Sequence, residues 1–176
     1  GMGDLNGDGR PDLVTANGSS DDVSVLLGNG DGTFLDQRRF STGVSPFSVG
    51  MGDLNGDGRP DLATANYNSD DVSVLLGNGD GTFLDQRYFP AGDYPSSVGM
   101  GDLNGDGRPD LVTANLDSDD VSVLLGNGDG TFLDRLRFPS GYSPVSVGMG
   151  DLNGDGRPDL VTANVVSHDV SVLLHK

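Results

Sequence analysis

The chain has 176 residues and a formal net charge of −17; all 27 acidic side chains are Asp, and Gly fills 29 positions. Asp and Gly are poor helix formers, which excludes a helical bundle, and no apolar stretch approaches the ~18 residues of a membrane span. So negative a surface repels phosphates, so no nucleic-acid partner is expected, and with no Cys there is neither a disulfide nor a thiolate metal site.

The chain opens at Gly1-Met2-Gly3 without a basic-plus-apolar leader, so any secretory signal is expected to lie outside this sequence. The string Asp-Leu-Asn-Gly-Asp-Gly-Arg-Pro-Asp then begins at Asp4 and returns in constant register at Asp53, Asp102 and Asp151. Residues 1–176 therefore read as one repeat domain, with units of about 1–48, 49–97, 98–146 and an incomplete 147–176. In each unit a short run enters the Asp-rich loop, as Ser48-Val49-Gly50-Met51-Gly52 does before Asp53. Leu13 to Ala16 leaves the loop as a second strand, and the β-branched Val23 to Leu27 is a third. Gly28-Asn29-Gly30-Asp31-Gly32 supplies the positive φ of a turn. Thr33 to Phe40 is expected as a fourth strand, followed by a Gly/Pro/Ser loop through Pro46.

Four short strands per unit predict an all-β protein of β-propeller-type blades. It is either a closed propeller or a segment of a larger propeller or linear array. A lone meander buries little apolar surface, so neighbouring blades must supply the core. Met51, Met100 and Met149, and Phe34 and Phe40 with their copies, are expected in that core. The fourth unit stops after its third strand, at Leu173-Leu174-His175-Lys176. Open strand edges of this kind are templates for association.

The chemistry lies in the repeated loop. Counting from Asp4, side-chain oxygens fall at positions 1, 3, 5 and 9, namely Asp4, Asn6, Asp8 and Asp12. Gly9 permits a sharp bend, and Pro11 restricts Arg10 so that its carbonyl can turn inward at position 7. The equivalent sets are Asp53, Asn55, Asp57, Arg59 and Asp61; Asp102, Asn104, Asp106, Arg108 and Asp110; and Asp151, Asn153, Asp155, Arg157 and Asp159. An oxygen-only set is what Ca²⁺ takes, about one ion per repeat, whereas Mg²⁺ keeps more water. With no His or Cys nearby, Zn²⁺ and copper are not expected. The loop is not an EF-hand, because position 12 is Thr15 rather than Glu.

Asp-Leu-Asn-Gly-Asp-Gly-Arg-Pro-Asp-Leu, followed by Asp-Val-Ser-Val-Leu-Leu-Gly-Asn-Gly-Asp-Gly-Thr-Phe, resembles the FG-GAP/VCBS repeat of integrin α-subunit propellers and bacterial surface proteins. The resemblance spans the chain. It implies propeller blades with calcium between a blade's first two strands, held by the residues named above. Such propellers usually have seven blades, and four copies are present here.

The remaining features are weaker. His168 and His175 occur only in the last unit, so no catalytic set recurs and no enzyme activity is expected. The Asp21-Asp22 pair reads as a solvated loop tip, with a second acidic site as the alternative. Asn17-Gly18-Ser19 is a glycosylation sequon that the other copies lack. The copies differ mainly at residues 18–19 and 41–47, which suits recognition by loop tips on a rigid scaffold. The expected function is a calcium-stabilised extracellular or cell-surface structural or adhesion module. Its partners would be further copies of itself, other surface proteins or glycans. The alternative is a calcium-dependent lectin using Tyr67, Tyr94 and Tyr142.

Overall fold

Val-Ser-Val runs and turn glycines lay the chain down as a series of antiparallel meanders in the computed structural model, which describes residues 1–175. The first unit pairs β1 (Met2–Gly3), β2 (Asp12–Asn17), β3 (Asp22–Leu26) and β4 (Arg38–Ser41) in chain order. The second repeats this with β5 (Pro46–Gly52), β6 (Asp61–Asn66), β7 (Asp71–Leu75) and β8 (Arg87–Pro90). The third consists of β9 (Pro95–Gly101), β10 (Asp110–Asn115), β11 (Asp120–Leu124) and β12 (Leu136–Pro139). The fourth has three strands, β13 (Pro144–Gly150), β14 (Asp159–Asn164) and β15 (Asp169–Leu173). Each meander is its own sheet, and the all-β, bladed architecture expected from the repeat is the one observed.

The second and third strands, Asp12–Asn17 and Asp22–Leu26, match expectation to within one residue at each end, and two strand limits differ by more. The first strand of the second unit begins at Pro46 rather than Ser48. The expected fourth strand Thr33 to Phe40 is paired continuously only over Arg38–Ser41. The cause is local. The Asp31 carboxylate accepts both the backbone N–H and the hydroxyl of Thr33, at 2.9 and 2.6 Å, which curls the chain through the turn. A single bridge, Gly28 to Phe34, then stands apart from the ladder.

Period-2 alternation explains how the sheets stack. Val23 and Val25 of β3 point to the following unit, while Leu26 and Ser24 occupy the opposite face. The core lies between units: Leu5, Val14, Val23 and Val25 of the first pack with Leu62, Leu75 and Phe83 of the second. The same pattern joins the second unit to the third and the third to the fourth. At roughly 1.5–3 kcal/mol per buried aliphatic side chain, these junctions dominate the stability. The aromatic pairs Phe40–Phe83 and Phe89–Phe132 meet edge to face across two of them, with centroids 5.2 and 5.1 Å apart.

The first strands β5, β9 and β13 lie side by side. Close approach there depends on glycine. A Cβ at Gly50 would lie 3.1 Å from Cε of Met100, which occupies the groove over Gly50 and Gly52. Met51, Met100 and Met149 thus sit in the core, as expected.

Candidate metal centre

The Asp-rich loop joins the first and second strands of every sheet, and its own backbone shapes it. Asp4 Oδ1 accepts Gly7 N–H at 2.7 Å, and Oδ2 accepts Gly9 N–H at 2.8 Å. Asn6 Oδ1 accepts Asp8 N–H at 3.1 Å, and Asn6 Nδ2 donates to Asp8 Oδ2 at 3.1 Å. Asp8 Oδ1 accepts Arg10 N–H at 2.8 Å. This bend needs left-handed backbone at Gly7 (φ +76°) and Gly9 (φ +80°), which only glycine adopts without cost. Asp4, Asn6 and Asp8 are thereby gathered on one turn. The other loops repeat it: Asp53, Asn55 and Asp57; Asp102, Asn104 and Asp106; Asp151, Asn153 and Asp155. Arg10, Arg59, Arg108 and Arg157 stand at the exposed end of each bend, the Arg10 side chain packing over Gly30.

The ninth-position carboxylate is placed differently. Asp12 is fully buried, its Oδ2 accepting Leu5 N–H at 2.8 Å and its Oδ1 accepting Gly28 N–H at 2.7 Å. It is a strut between the acidic loop and the turn after the third strand. Asp61 joins Leu54 to Gly77, Asp110 joins Leu103 to Gly126, and Asp159 joins Leu152 to His175. The spacing of the motif signals a ligand at this position and gives no sign of the strut. Among the described residues, no three carboxylate or imidazole groups converge as a metal cluster.

The electrostatics divide the loop into rim and base. Amide donation, from Gly9 above all and opposed by some desolvation, holds the Asp4 carboxyl below its usual range, and Gly156 leads the same effect on Asp151. At the base, burial pushes Asp61 and Asp110 up. Two N–H donors oppose this in each, while repulsion from Asp57 and Asp53, or Asp106 and Asp102, adds to it. Negative charge is therefore favoured at the rim positions Asp4 and Asp151 and opposed at the base positions Asp61 and Asp110. The oxygens of Asp8 each accept one hydrogen bond and keep a lone pair. This donor chemistry fits a hard divalent cation.

The Asp21-Asp22 pair is not simply a solvated tip. Asp22 is buried and accepts from Asn17 at 2.7 Å and Ser20 at 3.0 Å, with Arg39 3.5 Å away. In the third unit the matching Asp120 pairs with Arg137. Asp21, at φ +56°, accepts Ser45 N–H at 2.8 Å and so clamps the linker to the next unit. The Asn17 amide of the sequon donates to Asp22 and Ser24, the bonds its copies also make.

The variable loops come together. Tyr67 and Tyr94 stack with centroids 4.7 Å apart, and Phe47 lies 5.7 Å from Tyr67. Tyr142 stands alone and exposed. Sequence reasoning missed Phe47, whose copies are Ser96 and Val145.

Residues 4–64, 53–113 and 102–162 each match the FG-GAP-like repeat. No curated protein matches the chain. Among solved structures, an Agrocybe aegerita lectin that recognises non-reducing terminal N-acetylglucosamine is similar at 26% identity, with TM-score 0.62 over 92% of this chain and 45% of the lectin. The V. cholerae biofilm matrix protein Bap1 is similar at 21% identity and TM-score 0.56, over 92% of this chain and 23% of Bap1. BBS1N, solved in complex with ARL6DN, shares the fold at 14% identity and TM-score 0.64, over all of this chain and 56% of BBS1N. The chain thus spans about half or less of the length of these proteins.

Proposed function

The chain belongs to the FG-GAP-like repeat family, and on that premise we propose that it is a calcium-stabilised, non-enzymatic structural or adhesion module of the extracellular surface that associates with further copies of itself. The observation that carries the calcium reading is the fourfold recurrence of a rim of Asp and Asn oxygens above a buried carboxylate. In the two middle units that carboxylate's charge is opposed by burial and by its own neighbours. Asp4, Asn6, Asp8, the Arg10 carbonyl and Asp12, with their three sets of copies, would hold one ion per loop. The ion would supply positive charge where the carboxylates repel; four ions would offset about eight of the seventeen net negative charges. Exposed loops of this kind bind with Kd of about 10⁻⁴–10⁻³ M, which suits extracellular calcium. A surface role is supported by the likeness to a biofilm matrix protein. Among the described residues no helix is long and apolar enough to cross a membrane. The non-enzymatic reading rests on chemistry that recurs in every unit without a base: His168 and His175 occur in one unit each time. A chelator is expected to lower the unfolding midpoint and Ca²⁺ to restore it; a midpoint indifferent to both overturns the reading.

The stacked Tyr67–Tyr94 pair with Phe47 favours a second reading, a carbohydrate-binding surface. Aromatic faces are platforms for the apolar face of a sugar ring, and one similar protein is a lectin. On a glycan array the chain would then retain a defined glycan, and Tyr67→Ala would weaken retention at least about tenfold. An array without retained glycan excludes this reading and leaves the structural one intact.

A further inference from the structure

Four of the five aromatic side chains that break the repeat fall around the second unit. Phe47 stands where the copies have Ser96 and Val145, and Tyr67 where they have Gly18 and Leu116. Tyr88 replaces Arg39 and Arg137, and Tyr94 replaces Ser45 and Ser143. The loop of residues 66–71, between β6 and β7, gathers them. Tyr67 N–H donates to Ser45 O at 2.9 Å, close to Phe47, and Asp70 Oδ1 accepts Tyr94 N–H at 2.8 Å. Tyr88 lies on β8, two residues before Pro90, which pairs with Asp71. Phe47, Tyr88 and Tyr94 are 68, 51 and 38% exposed, although the first and third units flank the second on either side.

The exchange at Tyr88 takes a cation away from a place built to receive one. In the third unit Arg137 Nε pairs with Asp120 Oδ2, while its Nη2 donates to Ser118 O at 3.0 Å. In the first, Arg39 lies 3.5 Å from Asp22 Oδ2. The second unit carries the matching acceptors in Asp71 and the Ser69 carbonyl. Asp71 Oδ1 accepts from Asn66 at 2.6 Å and Ser69 at 3.0 Å, but among the described residues no Arg or Lys pairs with it. Tyr88 supplies no charge, and its hydroxyl is engaged by Gln86 at 2.7 Å and turned to Thr42 O at 3.4 Å. Burial pushes the Asp71 carboxyl up, Asn66 and Ser69 oppose this, and Asp70 adds repulsion. Residues 41–47, 66–71 and 90–96 hold no Lys or Arg, and Asp70 and Asp93 among them are exposed.

A ligand for this surface needs an extended apolar face for the rings and a positive donor for Asp71. One guanidinium would meet the carboxylate alone, whereas the row of rings, with centroids 5.7 and 4.7 Å apart, suits something broader. We propose that the rim of the second unit binds a cationic amino sugar, a hexosamine with a free amine, its ring on the Phe47–Tyr67–Tyr94 cluster and its ammonium on Asp71 and the Ser69 carbonyl. This rests on the carbohydrate reading above and names the class of sugar. Aromatic faces attract ammonium groups as well as apolar ring faces. A bond from ammonium to carboxylate is about twice as strong as a neutral one. The net charge of −17 draws a polycationic glycan to the chain.

The test titrates two probes into the 176-residue chain in mildly acidic buffer with Ca²⁺: a glucosamine tetrasaccharide, its amines protonated, and its fully N-acetylated counterpart. The free-amine probe is expected to bind at least about tenfold more tightly. Tyr88→Arg restores the guanidinium that the first and third units carry, and should weaken the free-amine probe at least about tenfold while leaving the acetylated one unchanged. Asp71→Asn should do the same. Asp134→Asn, at an exposed carboxylate of the third unit, changes the net charge equally and should bind as wild type. Circular dichroism establishes that each variant is folded. Equal binding of both probes, lost with Tyr67→Ala, overturns the amine preference and leaves the carbohydrate reading standing. Weakening by Asp134→Asn as large as that by Tyr88→Arg reduces the effect to bulk charge and overturns the site. An arginine-rich peptide held more tightly than the tetrasaccharide assigns the acceptors to a protein partner and overturns it too. Binding of neither probe overturns both the proposal and the carbohydrate reading.

Discussion

Replacing Asp61 by Ala is expected to lower stability by roughly 4 kcal/mol and the melting midpoint by about 10 °C. Two buried N–H groups, of Leu54 and Gly77, lose their acceptor at once. Each orphaned buried donor costs about 1–3 kcal/mol, and in a chain of this size 1 kcal/mol moves the midpoint by about 2–4 °C. An opposing effect must be weighed. Burial and the charges of Asp57 and Asp53 disfavour ionised Asp61, so the substitution also relieves repulsion. The orphaned donors outweigh that relief, because both belong to buried residues and hold the acidic loop to the turn beyond the third strand. Asp61→Asn keeps one acceptor and should fall between wild type and Ala. The same change at Asp159 should cost less, because its unit has an uncovered face and Leu152 is exposed. Thermal unfolding by circular dichroism measures all three; an Ala variant within about 2 °C of wild type would remove the strut.

Saturating calcium should move the midpoint further. At free Ca²⁺ ten times Kd, each site adds about 1.4 kcal/mol by mass action, so four independent loops add about 5–6 kcal/mol. That corresponds to an upward shift of about 10–20 °C relative to chelator. Magnesium should give a much smaller rise, because it is reluctant to exchange water for so many protein oxygens. Agreement of the midpoints in Ca²⁺ and chelator within about 2 °C would mean that the loops, already closed by their own amide bonds, have no need of an ion.

Much of this architecture was legible in the repeat. Asp-Val-Ser-Val-Leu names β3, β7, β11 and β15 because β-branched residues alternate with small polar ones, and Asn-Gly and Asp-Gly steps follow the first three of them. The Met positions and Phe40, Phe83, Phe89 and Phe132 were legible as core because they recur with the strands, whereas Phe34 and Phe138, expected there too, are 37 and 40% exposed. The strut was not legible. Gly28 N–H lies sixteen residues beyond Asp12 and reaches it only through the register of β2 with β3, which no local spacing encodes. The start of β4 was lost to a side chain, since Asp31 captures Thr33 and delays the pairing. The aromatic cluster was only half visible: Tyr67, Tyr94 and Phe47 sit at different positions of the repeat and meet because the linker crosses the loop of the following unit.

Calorimetric titration of the calcium-free chain with Ca²⁺ measures whether each acidic loop is an ion site. Close to four ions per chain are expected, with one lost for each position-1 substitution among Asp4→Asn, Asp53→Asn, Asp102→Asn and Asp151→Asn. A chain that takes up no calcium at millimolar concentration, or whose uptake ignores those substitutions, would contradict it.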